Sequence, residues 1–208
     1  MSNLILYFSR KGQNYKNGKI VSLEKGNTER AAELIWDAVG GDLFEIRPAE
    51  SYPIDYYDCT ARAKKEAKDQ ARPLAQGVPD LTGVDTIFLG YPNWWGSCPM
   101  IIFSVLEQLD LADRRIIPFC TNEGSGMGSS EKDLRRTFPQ AKVEAGLAIR
   151  GAEVEELADR IGSWAARYSP RLDGKEDTLD PEEENAGRTE EKEKAAAAAQ
   201  MPHLPDHD

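Results

Sequence analysis

Along most of this chain, short apolar runs alternate with stretches of helical periodicity. "LILYF", Leu4 to Phe8, is followed by polar residues and glycine, and it predicts a buried strand. Glu29 to Val39 places Ala32, Ile35 and Val39 at helical spacing, with Ala31, Leu34 and Ala38 widening the stripe. Gly40-Gly41 ends that helix. "DLFEI" predicts a second strand, and Pro48 and Pro53 mark the loop after it. Tyr56 to Arg72 reads as a charged helix closed by Pro73. "DTIFLGY", Asp85 to Tyr91, is a third strand, and Met100 to Leu109 an apolar helix after Pro99. "RRIIPFCT", Arg114 to Thr121, is a fourth strand, in which Pro118 removes one ladder donor. Ser130 with Asp133 has the form of a capping box for a helix ending near Phe138. "KVEAGLAI", Lys142 to Ile149, predicts an unbroken fifth strand. Glu153 to Tyr168 predicts a last helix that buries Val154, Leu157, Ile161, Trp164 or Ala165, and Tyr168.

Strands alternating with helices predict a parallel sheet covered on both faces. Near-continuous apolar strands agree with that burial. One junction is unusual. Strand-to-helix connections commonly take about two to six residues, yet "SRKGQNYKNGKIVSLEKGNT" separates the first strand from the first helix. Asn17-Gly18 is a hairpin turn signal, with "QNYK" and "KIVSLE" as the arms. Residues 10–25 are thus expected to form a hairpin-like insert over the carboxyl end of the sheet. Lys16, Lys19 and Lys25 would sit there.

Composition changes after Tyr168. Residues 169–208 lack aromatics and carry a net charge of −7 out of −10 for the whole chain. Such a segment cannot bury a core that offsets chain entropy. Residues 1–168 are expected to form the domain, and 169–208 a mostly disordered acidic tail. The domain's net charge of −3 lacks the basic footprint of a nucleic-acid binder.

Cys59, Cys98 and Cys120 are too widely spaced for a zinc-type cluster and suit a reducing compartment. With no leader pattern and no run of transmembrane length, a cytoplasmic protein without membrane insertion is expected. The histidines are His203 and His207 alone, outside the domain. That excludes a Ser-His-Asp or Cys-His nucleophile and a His-ligated metal within it. Redox or other demanding chemistry would belong to a cofactor.

In an open parallel sheet, ligands bind beyond the carboxyl ends of the strands. Three loops meet on that edge. Ser9 and Gly26-Asn27-Thr28 offer hydroxyl, amide and helix N-terminal donors suited to a phosphate, or an ordinary helix cap. "YPNWWGS", Tyr91 to Ser97, offers an aromatic wall for a planar ring, or a cover for the sheet end. "TNEGSGMGSS", Thr121 to Ser130, is glycine-rich, which permits close backbone approach. It is not a dinucleotide fingerprint. Together the three fit flavin mononucleotide (FMN).

These same stretches, "ILYFS…GNTE", "FLGYPNWWGS" and "IPFCTNEGSGMGSS", resemble the flavodoxin family over about Asn3 to Tyr168. The likeness is to short-chain bacterial flavodoxin-like proteins with an insert in the phosphate loop and a YPNWWG loop. It implies a three-layer α/β sandwich with a five-stranded parallel sheet in the order 2-1-3-4-5. It implies noncovalent FMN. Ser9, Asn27 and Thr28 would hold the phosphate, with Arg10 near. Pro92, Asn93, Trp94, Trp95 and Gly96 would form one side of the ring site, with a backbone contact at Gly96. Thr121, Asn122, Glu123, Gly124, Ser125 and Gly126 would form the other. The family's compact T-x-T-G-N-T-like phosphate run is split here by the insert.

Two redox roles follow from the resemblance: electron transfer through the flavin to or from a redox partner, or FMN-dependent NAD(P)H oxidoreduction acting directly on quinones or other small oxidants. A signalling receiver would need acidic residues after strand one and an Asp after strand three, where Ser9 and Tyr91-Pro92 stand. A thiol hydrolase would need a base beside Cys98 or Cys120; small core-facing residues is the simpler reading of both.

Overall fold

The computed structural model describes residues 2–169. The expected acidic tail lies outside the described residues. The first strand, β1 (Ser2–Tyr7), is buried on both faces because its residues alternate between two cores. Leu4 and Leu6 point into one, together with Phe8 just beyond the strand. Ile5 and Tyr7 point into the other. After the insert comes α1 (Asn27–Val39), burying Ala31, Ala32, Ile35 and Val39 and ending at Gly40. β4 (Asp42–Glu45), α2 (Tyr56–Asp69) and β5 (Val84–Pro92) follow. Then come α3 (Met100–Leu106), β6 (Arg115–Asn122) and α4 (Ser130–Thr137). The chain continues through β7 (Lys142–Val143), β8 (Leu147–Arg150), a 3-10 turn at Gly151–Glu153, and α5 (Ala158–Ala166).

The sheet order is β4-β1-β5-β6-β7, with β8 also on β6, and the pairs are parallel. This is the expected 2-1-3-4-5 order, with the fifth position shared by two short strands. α1 and α5 cover one face; α3 and α4 cover the other.

Several boundaries differ from expectation; α3, expected to reach Leu109, ends at Leu106. The fifth strand is interrupted between Val143 and Leu147. β7 pairs with Arg115 and Ile116, and β8 with Phe119 to Asn122, so the gap lies opposite Ile117 and Pro118. The Ile116 carbonyl faces this neighbour, accepting from Glu144 N–H at 2.9 Å. Pro118, two residues on, faces the same side and has no N–H to give. The last helix splits into the 3-10 turn and a shorter α5. α2 ends before Arg72, at Gln70 in a left-handed conformation. The expected Ser130 cap moves by one residue. Ser129 occupies the N-cap position of α4 without a side-chain cap hydrogen bond, its hydroxyl donating instead to the Asp133 carboxylate at 2.6 Å, so the expected Ser130–Asp133 capping box does not form. Ser130 is fully buried, giving its hydroxyl to the Met127 carbonyl and accepting from Tyr91 OH at 2.9 Å.

Between β1 and α1, β2 (Gly12–Lys16) and β3 (Lys19–Leu23) pair antiparallel around Asn17-Gly18. Both turn residues have positive φ, 49° and 82°, as a two-residue hairpin turn demands.

Candidate functional site

A cleft of about 550 Å³ opens at the carboxyl ends of β1, β5 and β6. Its floor joins two of the expected loops directly. Thr28, in the first turn of α1, hydrogen-bonds Thr121 of β6, hydroxyl to hydroxyl, at 2.7 Å. Asn27 lines the cleft beside them. The first three amides of α1 have no partner within the helix, whose first bond runs from Arg30 N–H to the Gly26 carbonyl. One of the three, Glu29 N–H, is taken by Ser9 Oγ at 3.0 Å. Ser9 therefore serves as a cap and does not line the cleft. The amides of Asn27 and Thr28 remain at the positive end of the helix dipole.

Gly26 permits this arrangement. A Cβ there would lie 2.2 Å from Ser9 Oγ and 2.7 Å from the Arg10 carbonyl. Arg10 lines the cleft, and its guanidinium is packed among backbone carbonyls, donating to Pro53 and Ile54 at 2.7 and 2.6 Å and also to Gln13. Among the described residues it makes no ion pair.

The tandem tryptophans divide their roles. Trp94 turns inward, edge-on to Phe8 at 5.3 Å and Tyr52 at 5.0 Å. Trp95 is 55% exposed and has φ of +54°, costly for a bulky residue. It is pinned to α2, donating from Nε1 to the Thr60 carbonyl at 3.0 Å, with Lys64 over its ring at 4.7 Å. Both indoles line the cleft, as do Pro92 and Asn93.

Asn93 also organises the loops. Its Oδ1 accepts from Gly96 N–H at 2.9 Å, and its Nδ2 donates to the Gly126 carbonyl at 2.8 Å. The Gly96 carbonyl accepts from Ser129 N–H at 2.7 Å. Gly96 is thus engaged on both sides and does not line the cleft. A Cβ on Gly128 would stand 2.2 Å from that same carbonyl, so this glycine serves loop-on-loop packing. Asn122 lines the cleft, and its Oδ1 accepts from the amides of Gly124 and Gly126 at 2.9 and 3.1 Å. Those two glycines also fall outside the lining; Glu123 and Ser125 fall within it.

The cleft has a further wall that the sequence reading missed. Tyr56, Tyr57, Cys59, Thr60 and Ala63 of α2, Asn14 and Tyr15 of β2, and Gly151 all line it. Tyr56 packs against Tyr15 at 6.2 Å and against Tyr57 at 5.5 Å. Adjacent tyrosines at the start of an otherwise charged helix were the available signal.

The three thiols are buried and free. Burial pushes Cys120 up to about 12, Cys98 well above its ordinary value, and Cys59 up as well. None is poised as a nucleophile. Among the described residues no group of acidic, His or Cys side chains could hold a metal ion.

A family model described as flavodoxin matches residues 19–165. A provisionally assigned flavoprotein from Bacteroides uniformis is 31% identical, with a TM-score of 0.62 over 78% of this chain and 96% of that one. Its counterpart from Bacteroides eggerthii is also 31% identical, with a TM-score of 0.59 over 77% and 97%. A flavoprotein solved in complex with FMN from Lactobacillus acidophilus is 21% identical, with a TM-score of 0.56 over 74% and 97%. None of the curated proteins matches the chain.

Proposed function

The chain belongs to the flavodoxin family, and on that premise we propose that it binds FMN in this cleft and transfers electrons through it to or from a redox partner. One observation carries the reading: the open end of α1, with Asn27, Thr28 and the Arg10 charge, shares a single cleft with Trp94, Trp95 and the β6 loop. A phosphate ester bearing a flat ring needs both parts. The Bacteroides and Lactobacillus flavoproteins support the choice of flavin over another such ester.

The donor set fits the group. The amides of Asn27 and Thr28, the Asn27 side chain and Arg10 would hold the phosphate. Trp94, Trp95, Asn93 and Asn122 would bound the ring. Bound FMN supplies one- and two-electron chemistry. The residues position it and exclude water. The β5 and β6 loops are locked to each other through Asn93 and Gly96, so the ring site is preorganised.

One observation favours a second role. Arg10 and Glu123 are the only charged side chains among the described residues lining the cleft, while Tyr57 and Trp95 stand exposed at its mouth. That rim suits a small aromatic oxidant such as a quinone, reduced at the expense of NAD(P)H. No described helix is long and apolar enough to cross a membrane. We place the reaction in the reducing cytoplasm, where the thiols stay free.

Titrating the protein with FMN and following flavin absorbance tests the reading; saturation near one to one is expected, and no spectral change overturns it. Anaerobic bleaching of the loaded protein by NADPH alone would assign the second role, and a requirement for a reductase the first.

A further inference from the structure

The hairpin is attached to the domain at both ends, and the attachments differ. At its base, Arg10 donates to the carbonyls of Pro53 and Ile54, and Tyr56 N–H donates to Gln13 Oε1 at 2.9 Å. These bonds tie β2 to the segment entering α2. At its tip, the bonds cross to the opposite rim. Asn17 N–H donates to Glu123 Oε2 at 3.2 Å, and Arg150 donates to Asn17 Oδ1 at 3.2 Å. Glu123 Oε1 accepts from Ala152 N–H at 2.9 Å, and Glu153 holds Arg150 at 3.0 Å. Between base and tip, Asn14 and Tyr15 line the cleft. The hairpin therefore bridges the mouth from the α2 side to the β6–β8 side.

We infer that Glu123 and Arg150 are positioning residues that latch the hairpin tip across the cleft, and that opening this latch limits FMN exchange. The second clause rests on the FMN reading above. The tip is the weaker attachment, because its two bonds are exposed whereas Gln13 and much of the Arg10 guanidinium are partly buried. The turn geometry is internal to the hairpin, so the element swings about its base as one piece. A carboxylate is required at position 123 because both of its partners there, Asn17 N–H and Ala152 N–H, are donors. A glutamine can accept from one but presents its own NH₂ to the other.

Two variants separate a latch from a ligand contact. E123Q alters a residue in the cleft lining; R150Q alters one outside it. Cleavage by trypsin after Lys16 and Lys19, mapped by mass spectrometry on FMN-free protein, reports tip opening. FMN release on dilution, followed by flavin fluorescence, reports exchange. Each variant loses a hydrogen bond to a charged group, so both rates are expected to rise about tenfold in each. R150K keeps a donor and is expected to stay within about twofold of the parent. Faster release in E123Q alone, with trypsin cleavage unchanged in both variants, would make Glu123 a direct ligand contact and overturn the latch. So would unchanged cleavage in R150Q, or failure of R150K to restore the slow rate. A parent protein that binds no FMN would remove the exchange measurement with the FMN reading, while the cleavage rates would still decide whether the tip is latched.

Discussion

Thr28 and Thr121 join the first turn of α1 to the end of β6 through one hydroxyl–hydroxyl bond of 2.7 Å, with the residues only 2% and 4% exposed. The bond fastens the helix that opens on the cleft to the strand that forms its far wall. Replacing one partner leaves the other hydroxyl buried and unpaired. Thr121→Val is therefore expected to lower stability by about 1–3 kcal/mol, whereas Thr28→Val with Thr121→Val should cost much less than the two single changes together. Urea midpoints of the two single variants and the double variant check this. Additive losses would show that the hydroxyls act independently.

The tandem tryptophans should separate stability from binding. Trp94 packs among Phe8 and Tyr52. Trp94→Ala is expected to cost about 2–4 kcal/mol, towards the lower end of large core truncations because the site is only partly buried. Trp95→Gly removes a bulky residue from φ of +54°. Relief of that strain offsets the lost contact, and stability should stay within about 1 kcal/mol of the parent. FMN affinity is expected to fall in Trp95→Gly. Thermal melts and flavin titrations on the two variants give the comparison.

Buried thiols give the fold a sensitivity to alkali. Cys120 has its pKa pushed from 9.0 to about 12 by burial. The unfolded chain therefore releases this proton first as pH rises, and the unfolded state is favoured across that window. Stability is expected to fall between about pH 9 and 12, with Cys120 contributing up to about 1.4 kcal/mol per pH unit. Cys120→Ala should show a shallower decline. Urea midpoints measured from pH 8 to pH 11 report the slope, and equal slopes would remove Cys120 as a cause.

Gly26 sets how closely the end of β1 approaches the start of α1. With only 2.2 Å available to a Cβ beside Ser9 Oγ, Gly26→Ala must move the helix start or the Ser9 cap. An FMN affinity at least about tenfold weaker is expected, equivalent to about 1.4 kcal/mol. Ser9→Ala, which removes only the cap, is expected to cost about 1 kcal/mol of stability. Isothermal titration and chemical denaturation separate the two effects.

The sheet was legible because its central strands, β1, β5 and β6, are buried on both faces. Leu4 to Phe8 and Ile87 to Tyr91 are near-continuous apolar runs, the pattern expected of strands in a covered parallel sheet. The fifth strand was misread because its interruption originates partly in another strand. Within "KVEAGLAI" Gly146 alone marks the break, and the partner strand contributes Pro118, which has no N–H to give. Gly146 then fits against it, where a Cβ would meet the Pro118 carbonyl at 2.6 Å, and its amide turns to Glu131 at 2.6 Å. Eleven of the fifteen expected site residues line the cleft. The other four, Ser9, Gly96, Gly124 and Gly126, are backbone or cap partners whose bonding depends on Asn93, Asn122 and Glu29. The α2 wall was missed for a related reason. Tyr56 and Tyr57 enter the cleft through tertiary placement, and neither helical periodicity nor loop composition marks them.

The two ends of the insertion meet at the base of the hairpin. Gly26 stands so close to Ser9 and Arg10 that the intervening residues form a closed loop on the domain surface. Closing a flexible loop costs only about 0.6 kcal/mol more for each doubling of its length. The segment between Lys11 and Lys25 can therefore be lengthened, shortened or exchanged for another hairpin while β1 and α1 keep their places. The architecture offers a graft point beside a cofactor-type cleft, where new recognition elements can be installed without redesigning the sheet.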